Sequence, residues 1–301
     1  MPLTTAAIGL VTDPIEHAVD ERWTMAYSAA LGDHDAVYVD TSRADGVVAH
    51  PLFAICPEWP VALASRDQLR ERGLTAEEFP RGVHASQDCH VYRLICPGDR
   101  LSTRATVVSI EARRPGALVT TCFDTLDQDA ELVCRTFSSN LYRGVELNSV
   151  GNGDMADHSP RTAVPASPDV MHSLSTTTAR VSPLAVPAGL AHTYTECARI
   201  WNPIHTDVRV AREAGLPDII LHGSATLALA VSEIVRQFAD GDPHQVTRIG
   251  GQFRGMVLLP STLQQRSWEP LEDNNGRIVP FAVDSDSGAP VIANGYVVLK
   301  K

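Results

Sequence analysis

The sequence predicts an α+β protein built from two similar halves. Three observations carry that expectation. The chain has 301 residues, which at about 150 residues per domain is room for two. Residues 144–173 are rich in Gly, Ser, Pro, Asn and Asp and show no apolar period, so they read as a linker. They leave an N-terminal domain of residues 1–143 and a C-terminal domain of residues 174–301. Finally, both halves run in the same order: a strand-like piece, a mixed helical stretch, a polar turn, an apolar helix, then alternating strands. A repeated order in one chain points to a duplicated fold, each copy a helix packed on an antiparallel sheet.

In the first half, residues 23–31 are helix-like. Residues 50–64 are largely apolar and read as a buried helix that Pro57 and Pro60 break or kink. Strands are expected at 90–95, before the turn Pro97-Gly98-Asp99, and at 101–112, 117–125 and 131–142. In the second half, helices are expected at 191–200 and at 206–214, the latter stopped by Gly215. Residues 223–239 form the longest helical run, apolar for two turns, so its N-terminus is a buried dipole end. Strands follow at 245–253, 261–269, 278–284 and 291–299, and the acid-rich tract 269–273 reads as a solvated loop.

Composition narrows the function. Hydrophobic residues make up 44% and charged residues 20%, which excludes wholesale disorder. With 25 Lys and Arg against 36 Asp and Glu, the net charge of −11 lacks the basic footprint of a nucleic-acid binder. No apolar run is long enough to span a membrane. The first residues carry acids and no basic cluster, so no secretory signal is expected and a cytoplasmic location is. The six cysteines form no CxxC pair and read as reduced thiols. There is no phosphate-cradling glycine loop, no GxSxG elbow and no zinc-like His/Asp spacing. Neither a cofactor nor a metal is expected.

The informative stretch is Arg199 to Thr226, RIWNPIHTDVRVAREAGLPDIILHGSAT. Asn202-Pro203 is a turn signal, and His205 lies just before the next helix. His222-Gly223 opens the long apolar helix, where a glycine lets a ligand approach and its N–H is a donor for a developing oxyanion. A histidine beside an oxyanion donor is the equipment for proton transfer next to a carbonyl. Taken alone, His205 also reads as a capping or core histidine, Asn202 as a turn former and Gly223 as a packing glycine. Asp207 reads as the cap of the following helix.

WNPIHTD and ILHGSAT resemble, in order and separation, the signature of the MaoC-like, (R)-specific enoyl-CoA hydratase and dehydratase family, a hydratase 2 type protein. The likeness extends over the last strands of the chain, residues 258–299, and onto the first half through HPLF at 50–53 and the 84–101 stretch. The resemblance implies a tandem, or double, hot-dog fold, each half a sheet wrapped around a central helix. The first half would keep the fold and help house the acyl tail, and the second would hold the site. It also implies a 3-hydroxyacyl or 2-enoyl thioester substrate, carried on coenzyme A or a carrier protein. His205 is then the acid/base, Asn202 orients substrate or water, and the Gly223 N–H holds the thioester oxygen. Ile200, Trp201, His222, Ser224 and Arg254 become candidate substrate contacts, Arg254 either to a coenzyme A phosphate or in a solvated pair. A monomer or a homodimer is compatible with two hot-dog units in one chain.

One position departs from the family pattern. The family places an aspartate five residues before the histidine, where this chain has Ile200. In the first half, Gly32-Asp33-His34-Asp35 stands at the corresponding place, with Tyr38 where the histidine would be. Asp33, His50 and His84 read as structural. Glu196, one helical turn before Ile200 on a continuous helix, is a candidate substitute carboxylate. Three functions follow: a hydro-lyase relying on His205, a dehydratase or cyclase acting on a specialised, polyketide-like metabolite, or a non-catalytic binder of acyl thioesters.

Overall fold

The computed structural model describes residues 3–147, 162–168, 170, 178–273 and 276–301. Much of the expected linker, at 148–161, 169 and 171–173, lies outside the described residues, as do residues 174–177 at the expected start of the second half.

The first half contains β1 (Ile15–Ala18), α1 (Glu21–Ala30), α2 (Ala36–Val39), α3 (Ile55–Glu71), β2 (Gly82–Val91), β3 (Arg100–Arg113), β4 (Gly116–Leu126) and β5 (Leu132–Arg143). The second contains β6 (Arg180–Val186), α4 (Leu190–Ala198), α5 (Val208–Glu213), α6 (Gly223–Phe238), β7 (Val246–Phe253), β8 (Ser261–Ser267), β9 (Leu271–Asp273), β10 (Gly276–Asp284) and β11 (Pro290–Leu299). The strands join in the order β1-β3-β4-β5-β2-β7-β11-β10-β8-β6, with β9 beside β10. Within each half the first strand takes one edge and the second strand takes the other. The two halves meet through their second strands, β2 and β7.

That seam is antiparallel, with Ser86 opposite Gln252 and His90 opposite Arg248. Two equivalent strands paired antiparallel are related by a two-fold axis, so the chain is folded as a pseudo-symmetric dimer. On the face away from the helices, Arg248 grips Asp88 across the seam with Nε–Oδ1 at 2.8 Å and Nη2–Oδ2 at 2.6 Å. Its Nη2 also donates to the Ala166 carbonyl at 2.9 Å, which ties residues 162–168 to that face.

The other face wraps the helices. In α6, residues Ser224–Ser232 together with Ile234 and Val235 are buried. Its Leu227, Val231 and Ile234 are fully covered, and each such side chain contributes about 1.5–3 kcal/mol of burial. One core runs through both halves: Trp23, Tyr27 and Phe53 from the first pack in the same cluster as Tyr194, Leu227 and Ile249 from the second. Short polar side chains set the helix starts. Asp20 accepts the Trp23 N–H at 2.8 Å ahead of α1, and Asp207 caps α5 by accepting from Arg209 and Val210, as expected.

The structure corrects several local expectations. The second strand of the first half is Gly82–Val91, not 90–95. Helix α3 starts at Ile55, after a run of turns, and carries Pro57 in its first turn and Pro60 inside. The acid-rich tract is partly a strand, β9, paired with β10. No helix among the described residues is long and apolar enough to cross a membrane.

Candidate functional site

Helix α4 ends at Ala198 because Arg199 adopts a left-handed backbone, with φ of 57°. Its guanidinium lies over the Trp23 ring at 3.9 Å. That turn drops Ile200 into the core, only 3% exposed. It also sends Trp201 outward, 60% exposed, where its indole donates to Glu196 at 3.5 Å. Glu196 is therefore exposed and not on a continuous helix with Ile200, so it is no substitute for a carboxylate there. Asn202 caps the following turn, accepting from the Ile204 N–H.

His205 sits at the end of that turn, buried. Its Nδ1 lies 2.8 Å from the Ile220 carbonyl oxygen. A carbonyl only accepts, so Nδ1 carries the proton and Nε2 is left with the lone pair. No partner for Nε2 appears among the described residues. Burial pushes the His205 pKa down to about 4, partly offset by the Ile220 carbonyl. The ring is therefore neutral at physiological pH and able to take a proton.

The His205 ring stacks on His222, with centroids 3.6 Å apart and planes 25° from parallel. His222 is buried and its Nε2 meets Thr195 Oγ1 at 3.3 Å. Burial, then the neighbouring His205, lowers its pKa to about 2. His222 is thus a neutral wall that fixes the His205 ring. Gly223 follows as the first residue of α6, so its N–H is one of those an α-helix leaves without an intrahelical partner. A Cβ at Gly223 would lie 3.2 Å from the Phe253 ring, so that ring packs closely against the open side of this glycine.

Ser224 is buried and accepts from the Tyr194 hydroxyl at 3.1 Å, and Tyr194 meets Tyr27 at 3.3 Å. This buried chain ties the first turn of α6 to both halves. Arg254 is exposed and donates to Gln252. The Leu221 N–H donates to the Val257 carbonyl at 2.8 Å. Residues 256–258 therefore run beside the segment that holds His205, and they expose Met256 and Leu258. The fold thus brings His205, His222 and Gly223 together, with Ile200 and Ser224 in the wall behind them, while Trp201 and Arg254 stay at the surface.

A cavity of about 290 Å³ lies elsewhere, on the face of the sheet away from the helices, lined by Asp88, Ser139, Gln252, Tyr296, Val164, Pro165, Ser167 and Pro168. It contains none of the candidate residues. Among the described residues, no three His, Cys, Asp or Glu side chains are grouped as metal ligands.

Sequence reasoning missed Tyr27, Tyr194, Thr195 and Phe253. The tyrosines carried a signal, since they stand 167 residues apart and the same spacing relates Asp33 to Ile200 and Tyr38 to His205.

Residues 173–283 match the MaoC like domain family, and residues 6–136 match the FAS1-like, dehydratase domain region. The chain is 25% identical over 255 residues to the peroxisomal multifunctional enzyme type 2 of Drosophila melanogaster, covering 84% of this chain and 40% of that protein. It thus spans well under two thirds of that relative. It is 40% identical over 68 residues to the peroxisomal enoyl-CoA hydratase 2 of Arabidopsis thaliana, 23% of this chain and 22% of that one. Its fold superposes on the crystal structure of a MaoC-like dehydratase from Phytophthora capsici with a TM-score of 0.75, at 18% identity and covering 96% of both chains. Residues 173–283 are thus a MaoC like domain, residues 6–136 a FAS1-like dehydratase domain region, and together they build a double hot-dog fold.

Proposed function

We propose that the protein is a hydro-lyase that adds water to a 2-enoyl thioester or removes it from a 3-hydroxyacyl thioester, carried on coenzyme A or a carrier protein. The observation that carries this reading is the His205 tautomer. Its Nδ1–H is committed to the Ile220 carbonyl, so Nε2 is the free basic atom beside the start of α6. In dehydration, Nε2 takes the proton α to the thioester carbonyl. The Gly223 N–H stabilises the enolate oxygen that develops. The protonated ring then returns its proton to the departing hydroxyl. Hydration runs the same steps in reverse. Asn202 shapes the turn that presents His205. The exposed Trp201, Met256 and Leu258 offer an apolar rim for an acyl chain or a pantetheine arm.

Ile200 favours a second reading on the same machinery. A buried isoleucine neither orients nor polarises water. A substrate whose own hydroxyl replaces water, such as a polyketide-like metabolite undergoing dehydration or cyclisation, has less need of the missing carboxylate. Binding of acyl thioesters without turnover remains the outcome in which His205 is only a wall. The test is loss of enoyl absorbance with crotonyl-CoA and longer 2-enoyl-CoA substrates, with His205→Ala beside the wild type. Turnover that the substitution abolishes is the expected result. Turnover that survives it overturns the role of His205.

A further inference from the structure

The pseudo-symmetry does not supply a second thioester site. Pro51 follows His50 where Gly223 follows His222, and proline has no N–H to hold an oxyanion. A different kind of room exists on the far face of the sheet, in the cavity of about 290 Å³.

Its floor is four neighbouring strands, two from each half. The register sets their outward side chains in two rows. Ser139, Ser86 and Gln252 stand abreast on β5, β2 and β7. Phe137, Asp88, Gly250 and Tyr296 stand abreast on β5, β2, β7 and β11. Paired strands lie about 4.8 Å apart, so these groups face one space. Gly250 leaves a gap that the Tyr296 ring fills, since a Cβ there would collide with the ring. A register shift between Ala293 and Tyr296 adds Asn294 to the lining, with a left-handed φ of 51°, and such a bulge re-aims side chains.

The roof comes from the segment between the halves, through Val164, Pro165, Ser167 and Pro168. It is fastened at two points. Arg248 Nη2 donates to the Ala166 carbonyl at 2.9 Å, and Val170 packs with Ile278, Tyr296 and Val298.

The lining is polar but uncharged. Asp88 is its one ionised residue, and Arg248 takes both of its oxygens, at 2.8 and 2.6 Å. Tyr296 is 1% exposed, and its Oη has no hydrogen-bond partner among the described residues, although Asp88 and Ser167 stand close by. A buried hydroxyl in that state is costly, and the space beside it admits a partner. Gln252 accepts from Arg254 through Oε1, which leaves the two N–H groups of its amide for a ligand.

The chemistry of the ligand follows. An ion would lose its hydration and meet no free counter-charge. An acyl chain would leave the hydroxyl and amide groups unpaired. Ligand hydroxyls suit this lining, because each both donates and accepts, as serine and tyrosine hydroxyls do. Pro165, Pro168 and Phe137 offer apolar surface to the C–H faces of a ring. The volume is at the small end of ligand sites, which span about 300–1,000 Å³, so the ring carries no long tail. We propose that this cavity is a second binding site, separate from the His205 site, for a small neutral polyhydroxylated ring, a monosaccharide or a cyclic polyol. This inference stands independently of the hydro-lyase reading.

The test uses the full chain and titration calorimetry with D-glucose, D-galactose and myo-inositol. Glucosamine and glucose 6-phosphate present a sugar ring with a charge, and cyclohexanol a ring with one hydroxyl. The expected result is saturable binding of at least one neutral probe, with a Kd of about 10 mM or tighter. Saturation separates this from the general stabilisation that sugars give by exclusion from protein surfaces. The charged probes and cyclohexanol bind at least about tenfold more weakly. Ser86→Phe, which fills the cavity from its floor, abolishes binding. Tyr296→Phe removes only the unpaired hydroxyl, so urea unfolding shows no loss of stability while binding weakens about fivefold or more. Heats that fail to saturate with all three neutral probes, equal binding of the charged probes, or affinity unchanged in Tyr296→Phe overturns the proposal. Binding that survives in a folded Ser86→Phe overturns it too, and should that variant not fold, the probe comparison and Tyr296→Phe decide it.

Discussion

Ile200→Asp restores the carboxylate that the family pattern places before the histidine, and its consequences follow from the structure. Ile200 is 3% exposed, so removing its side chain forfeits about 1.5–3 kcal/mol of apolar burial. The fold already buries a carboxylate at the counterpart position, Asp33, at 2% exposure. A net loss of about 2–4 kcal/mol is expected, within the 5–15 kcal/mol a domain commonly holds. The gain is catalytic. A positioned acid/base contributes about 10²–10⁴-fold, so hydration of crotonyl-CoA should rise by at least about 10²-fold over wild type. The gain should vanish in Ile200→Asp/His205→Ala, because the two groups act as a unit. Ile200→Asn, equal in shape but unable to exchange a proton, should gain nothing. A folded Ile200→Asp protein with no gain on short or long enoyl-CoA substrates would refute the argument that the site is otherwise intact.

Two further outcomes are expected. Gly223→Ala places a methyl group 3.2 Å from the Phe253 ring. The ring must yield by a few tenths of an ångström, so a stability change within about 1 kcal/mol and a 10-fold or greater fall in kcat/KM are expected, read by denaturant unfolding and steady-state kinetics. Acidification should destabilise the fold. His50, His84, His205 and His222 have folded pKa values of about 3, 4, 4 and 2. The unfolded chain therefore takes up protons that the folded one refuses as pH falls below about 6.5. Glu58 acts in the opposite sense, since burial raises its pKa to about 7. Its contribution is complete below the unfolded carboxylate pKa and is lost as pH rises from there through the folded value of about 7. Four histidines against one glutamate leave a net fall of roughly 3–4 kcal/mol per pH unit between about pH 6 and 5. Urea unfolding at pH 7, 6 and 5 measures it, and a flat or rising stability on acidification would contradict the buried neutral histidines.

The sequence displayed those elements whose apolar pattern is strong. Helix α6 and strands β7, β8, β10 and β11 lie within a few residues of expectation because each turns one face to a single core. Strand β2 was hidden. Its outer face carries Ser86, Asp88 and His90, of which Asp88 takes its guanidinium partner, Arg248, from β7 across the seam, and a pairing between halves leaves no local period. The end of α4 was equally hidden, because a left-handed arginine gives none of the warning that a glycine would, and that one residue removed Glu196 from consideration. The motif disclosed His205, Asn202 and Gly223, but not the Tyr27–Tyr194–Ser224 chain behind them, which exists only once α1 packs on α4.

The seam between β2 and β7 has an evolutionary consequence. In a homodimer of single hot-dog units, one gene position is expressed on both sides of the axis, so any substitution is made twice and both sites must tolerate it. Here the two sides are written separately in one chain. A proline at position 51 could silence one side without touching Gly223, and an isoleucine at position 200 could replace a carboxylate without removing Asp33. Covalent duplication thus released each pocket from the constraint of matching its twin, while the shared sheet kept both folded.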